Sequence, residues 1–168
     1  ISTGVVTTVA GTGSSGSANG TGTSASFDNP NEITTDGTNL YVADSNNHLI
    51  RKIVISTGVV TTLAGTGSSG CANGTGTSAS FNAPNGITTD GTNLYVGETN
   101  NHIIRKIVIS TGVVTTVAGT VSSACTVSSG SANGTGTSAS FNQPSEITTD
   151  GINLYVADLG NHLIRQIE

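Results

Sequence analysis

Three histidines recur at matching places, His48, His102 and His162, each directly after an asparagine. A carboxylate precedes each by four residues (Asp44, Glu98, Asp158), and an arginine follows each by three (Arg51, Arg105, Arg165). Acid, imidazole and guanidinium in one group could ligate a metal or move a proton. The same groups can instead satisfy one another's hydrogen bonds and lock a turn. A catalytic centre needs one copy, whereas this set stands in every repeat. The nine residues are therefore read as a structural network, with no catalytic residue, metal or other cofactor expected.

Gly11-Thr12-Gly13-Ser14-Ser15-Gly16 and its counterpart at 65–70 match a dinucleotide fingerprint and follow a strand signal. No helix follows either, so the helix N-terminus that would hold a pyrophosphate is missing. Asn19-Gly20-Thr21, Asn73-Gly74-Thr75 and Asn133-Gly134-Thr135 fit the N-glycosylation pattern. That pattern carries little weight in a chain so rich in Asn, Gly and Thr. The cysteines say more. Cys71 replaces the serine found at 17 and 131, and Cys125 lies in a segment peculiar to the third repeat. Both fall on corresponding loops of successive repeats. A disulfide is expected in preference to two exposed thiols, provided the loops bring the Cα atoms within roughly 7 Å. It would suit an extracytoplasmic or secreted setting.

The elements that hold these residues follow from the repeat. Ile1-Ser2-Thr3-Gly4-Val5-Val6 returns at Ile55 and Ile109, a period of 54. Residues 1–54 and 55–108 differ at nine positions, and the third unit, 109–168, is 60 long because six residues are inserted around 121–128. In the first unit, strand signals fall at 5–9, 33–35, 40–43 and 49–54. Asp36-Gly37 marks a hairpin, since glycine accepts the positive φ of a tight turn. Thr, Ser, Asn and Gly make up 88 of 168 residues, which excludes a helical protein. Recurrent Val and Ile argue against disorder. The class is all-β: antiparallel meanders, apolar on both faces, as in propeller blades. A net charge of −5 without a basic stripe speaks against nucleic acid. No apolar run approaches the roughly 18 residues of a membrane span. Opening on Ile1 rather than Met, the chain is expected to be a trimmed or excised piece.

Phe27-Asp28-Asn29-Pro30-Asn31-Glu32-Ile33, Asn39-Leu40-Tyr41-Val42-Ala43-Asp44 and Asn47-His48-Leu49-Ile50-Arg51-Lys52-Ile53 resemble the blocks of an NHL repeat of bacterial type. The resemblance returns over 81–107 and 141–167, with Gly97-Glu98, Gly160 and Gln166 as departures. It implies a six-bladed β-propeller that serves mostly as a binding scaffold. Residues 1–168 would be half of one, in three four-stranded blades. Three blades cannot close. Joining Glu168 to a second Ile1 recreates the Val54-to-Ile55 junction, so a homodimer is expected, with each N-terminal strand completing the partner's last blade.

In the resembled fold the strand after Pro30 is innermost. Glu32 and Glu146, with Gly86 at the corresponding place in the second repeat, would carry carboxylates to the channel beside Asn31, Asn85 and Ser145. These five are the candidate binding residues, for a cation, a small polar ligand or a protein. The plainer reading is carboxylates solvated at a wet channel mouth. Two rival functions stay open: a metal-dependent lyase or lactonase-like enzyme with a central-channel site, and an excised fragment of a larger structural repeat array.

Overall fold

Residues 3–122, 124–125 and 127–168 are described by a computed structural model. The repeat start at Ile1, and so its junction with Glu168, lies outside them. Apolar residues spaced two apart put alternate side chains on opposite faces of a strand, and every named ladder is antiparallel. Gly20–Thr21 (β1) leads through a 3₁₀ turn to Pro30–Thr35 (β2), Asn39–Asp44 (β3), Leu49–Val54 (β4) and Val59–Ala64 (β5). These make one sheet in the order β1-β5-β4-β3-β2. Gly74–Thr75 (β6), Pro84–Thr89 (β7), Asn93–Glu98 (β8), Ile103–Val108 (β9) and Val113–Ala118 (β10) repeat the arrangement. Pro144–Thr149 (β11), Leu154–Asp158 (β12) and Leu163–Ile167 (β13) form the third sheet.

The expected four-stranded meander is present in the first two sheets with one short strand added, and the third has its three strands within the chain. Residues 5–9, the counterparts of β5 and β10, form no ladder and are exposed. A strand needs a partner to satisfy its backbone, and among the described residues no ladder reaches them.

The innermost strands β2, β7 and β11 pack side by side. Between the first two sheets lies a core of Tyr41, Ile50, Phe81, Ile87, Leu94, Val96, Ile107 and Val114. Between the second and third lies one of Ile104, Phe141, Ile147, Leu154 and Val156. Each long outer strand carries a bulge: Leu63 in β5 and Val117 in β10 drop out of register with β4 and β9, and both turn onto a core. No helix among the described residues is long and apolar enough to cross a membrane.

Cys71 and Cys125 form the expected disulfide, their Cα atoms 5.5 Å apart. It ties the second crossing loop to the inserted segment of the third repeat across a separation of 54 residues. A cross-link of that span removes unfolded-state entropy worth about 4 kcal/mol. Replacing both cysteines by serine is expected to lower the unfolding free energy by about that amount in urea titrations; an unchanged midpoint would contradict the assignment of a stabilising link.

Candidate functional site

Arg51 sits in β4 opposite Val42, and Asp44 ends β3 one pair along the same face. Both side chains are fully buried. One terminal nitrogen of Arg51 donates to Asp44 Oδ2 at 2.8 Å and to the Ser26 carbonyl at 3.1 Å. The other donates to the Ala18 carbonyl at 3.0 Å and to Asn19 Oδ1 at 2.9 Å. The guanidinium lies over the Phe27 ring, 5.2 Å from its centroid. Asp44 Oδ1 accepts from the Asp28 N–H at 2.8 Å. Asn47 Nδ2 bridges Asp44 Oδ2 and the Gly16 carbonyl. Each repeat thus clamps its glycine-rich crossing to its own sheet. The Glu98–Arg105 and Asp158–Arg165 pairs, at 2.6 and 2.9 Å, repeat the hub with Phe81 and Phe141 under the arginines.

The imidazoles do not belong to this hub, which corrects the expected network of acid, histidine and arginine. His48, His102 and His162 take left-handed backbone, with φ of 55°, 57° and 57°. Asn47, Asn101 and Asn161 take the place beside the carboxylate. His48 Nδ1 instead accepts from the Ala83 N–H at 3.1 Å, and His102 Nδ1 from the Gln143 N–H at 2.9 Å, each in the next repeat. Burial holds His102 below the usual histidine range, against the opposing pull of Asp158. A neutral ring is what an accepting nitrogen requires. His162 Nδ1 accepts no hydrogen bond among the described residues.

Of the five candidate binding residues, the structure joins two. Glu32 and Glu146 line one cavity together, and Glu32 accepts from the Ile87 N–H. Gly86 explains their meeting: a Cβ there would collide with the Ser145 carbonyl oxygen, so the missing side chain lets β11 press against β7. Burial above all, then the neighbouring Glu146, pushes Glu32 up to about 7, although the Ile87 N–H pulls the other way. The pair lines a cavity of about 250 Å³ with Ile147, Thr148, Tyr155 and Ile164. Ser145 Oγ donates to the Ala157 carbonyl at 3.4 Å, while Asn31 and Asn85 make no side-chain hydrogen bond among the described residues. Nor are three His, Cys, Asp or Glu side chains grouped for a metal among them.

His48→Ala leaves the part-buried Ala83 N–H without its acceptor and should cost about 1–3 kcal/mol of unfolding free energy, whereas His102→Ala, whose Gln143 partner is open to water, should cost less. Arg51→Met leaves Asp44 buried and unpaired, and should cost about 3–5 kcal/mol. Urea denaturation measures both; a histidine effect larger than the arginine effect would contradict the assignment.

Glu32 gives a pH test. An acid raised from 4.5 to about 7 on folding stabilises its protonated form, so stability falls as pH rises through that window. Glu32→Gln keeps the acceptor for Ile87 and removes the charge. It is expected to raise the melting temperature at pH 8 and to leave it unchanged below about pH 4.5. An equal gain at both pH values would be inconsistent with the shift.

No family model matches the chain. It is similar to NHL repeat-containing protein 2, with 37% identity over 92 residues of the Gallus gallus protein and 33% over 140 residues of the Homo sapiens one. Those matches take in 54% and 77% of this chain, which spans only 12% and 19% of the length of those relatives. A structural genomics protein of unknown function from Bacteroides thetaiotaomicron superposes with a TM-score of 0.68 at 30% identity, over 76% of this chain and 32% of that one. An auxiliary nutrient binding protein from Bacteroides ovatus superposes with a TM-score of 0.66 at 26% identity, over 79% of this chain and 35% of that one. Three blocks at constant spacing, antiparallel sheets set around their innermost strands and these likenesses converge: the chain belongs to the NHL-repeat family.

Proposed function

We propose that this chain is a non-enzymatic binding scaffold, half of a six-bladed ring that a second copy closes. One observation carries the ring: residues buried at the internal junctions lie open at the two ends. Ile50 and Ile104 are fully buried, whereas their counterpart Ile164 is 77% exposed. Ile87 and Ile147 are likewise buried, whereas Ile33 is 54% exposed. Ile33 marks the uncovered face of the first sheet and Ile164 that of the third, so each end fits the other. A twofold axis satisfies both ends at once. Two copies of three blades make six, within the range that propellers adopt, and three copies would exceed it.

Residues 5–9 then extend the third sheet in the register that β5 keeps on β4. Val6 falls opposite Ile167, Thr7 opposite Gln166, Thr8 opposite Arg165 and Ala10 opposite Ile164, with Val9 as the bulge. Covering the half-exposed Ile33 and Leu163 contributes about 1 kcal/mol apiece and the more exposed Ile164 about 2 kcal/mol.

The binding role draws support from the NHL-repeat relatives and the nutrient-binding neighbour. The hubs point the same way, since the acids and arginines of every repeat are engaged in the fold. The innermost strands, with Asn31, Glu32, Asn85, Ser145 and Glu146, are the surface offered to a cation, a small polar ligand or a protein. Acidic charge without a basic stripe does not suit nucleic acid, and the disulfide suits an extracytoplasmic compartment. Light scattering behind gel filtration is expected to give about twice the chain mass of 16.6 kDa. A 16.6 kDa species persisting at micromolar concentration would contradict the ring.

A further inference from the structure

We infer that residues 159–163 of each chain form a plug for a socket on the other copy, and that His162 latches it; the inference rests on the two-copy ring proposed above. The socket is a cavity of about 590 Å³ lined by Gly11, Thr12, Phe27, Asn29 and Pro30 among others. Its counterparts at the internal junctions are filled by the histidine turns. A Cβ on Gly65 would stand 2.5 Å from the His48 carbonyl oxygen, and one on Gly119 would stand 2.7 Å from that of His102. The equivalent Gly11 meets only Phe27, at 3.6 Å. The space a histidine carbonyl occupies twice within the chain is kept open a third time.

The hydrogen-bonding groups match as well. Ala83 and Gln143 give their N–H groups to His48 and His102. Asn29 shares their left-handed backbone, with φ of 53° against 51° and 55°, and its N–H has no acceptor among the described residues. His162 shares the backbone of the other two histidines, and its Nδ1 is without a donor there. Pro30 is exposed where Pro84 and Pro144 are buried. The two ends of the chain carry the two halves of one latch.

Leu159 sets this junction apart from the internal ones. Its counterparts are hydroxyl residues: Ser45 is buried, and Thr99 donates to the Pro144 carbonyl of the next repeat at 3.2 Å. Leu159 cannot donate and is 57% exposed. Placed as Thr99 is, it would face Pro30 of the other copy, in a socket that already offers Phe27. Leu159 and the pocket that holds Phe27 and Pro30 are matching apolar groups carried by one chain, so two copies can each supply what the other lacks. The occupant is therefore a second copy of this chain.

Sedimentation equilibrium of the full chain tests the plug, with Leu159→Asp and His162→Ala as variants. Both positions are exposed in the single chain, so far-UV circular dichroism is expected to keep the signal of the three sheets and to lose no more than the strand at residues 5–9 that the seam orders. The seam occurs twice per ring, so a loss of about tenfold at each weakens the dimer about 100-fold in Kd. A wild-type dimer whose Kd is unaltered by both variants would overturn the plug and leave the ring standing. A wild-type chain that stays monomeric at tens of micromolar would overturn both, the socket then belonging to some other chain or repeat.

Discussion

A guanidinium removed from water needs acceptors, and meeting that demand at the two terminal nitrogens organises each repeat, while the Nε of Arg51 and of Arg105 stays buried without a partner among the described residues. Arg51 reaches a carboxylate on its own sheet and three oxygens on the crossing loop, with an aromatic face beneath it. The crossing consists mostly of Gly, Ser, Thr, Ala and Asn, and such residues bury too little apolar surface to hold a course by themselves. A buried polar clamp supplies the missing specificity. Because Phe27 and Pro30 follow directly, fixing the crossing also fixes where the innermost strand begins. The pair tolerates exchange of its acid, Glu98 standing for Asp44, because carboxylate oxygens still reach both Arg105 and the Asn82 N–H at the end of the crossing.

Junctions between sheets obey a second rule, in which one repeat reads the backbone of the next. Apolar side chains supply most of the contact. Register comes from polar groups: a histidine nitrogen at the outer turn, and at the inner strands the Glu32 carboxylate on the Ile87 N–H. Near-identical repeats make every front face a match for every back face. Complementarity of that kind does not stop at the ends of a segment, and the exposed Ile33 and Ile164 are its visible remainder. Gly86 breaks the symmetry where it matters for binding, because its missing side chain sets two carboxylates from different repeats against each other.

Much of this was legible in the sequence. The 54-residue period, the Asp36-Gly37 hairpin, the alternating apolar residues and the acid–arginine partnership all rest on local spacing across paired strands. The disulfide was legible because its two cysteines fall on corresponding loops. The role of His48 was not. Its partner is the amide of Ala83, and an N–H group leaves no mark in the sequence. The Asn47 that does join the hub had a signal, the Asn-His pair repeated in every unit, but the histidine drew the chemistry towards itself. Gly86 read as a lost charge, whereas its meaning is the close approach of β11. Residues 5–9 have the β-branched composition of a strand, yet composition cannot furnish the partner that makes one.

The central claim is that those residues become a strand only on another copy. Amide hydrogen exchange at residues 5–9 tests it most directly, followed across a dilution series. The account predicts protection comparable to that of β5 and β10 at high concentration, lost on dilution as the copies separate. Rapid exchange at residues 5–9 at every concentration, with β5 and β10 still protected, would contradict it.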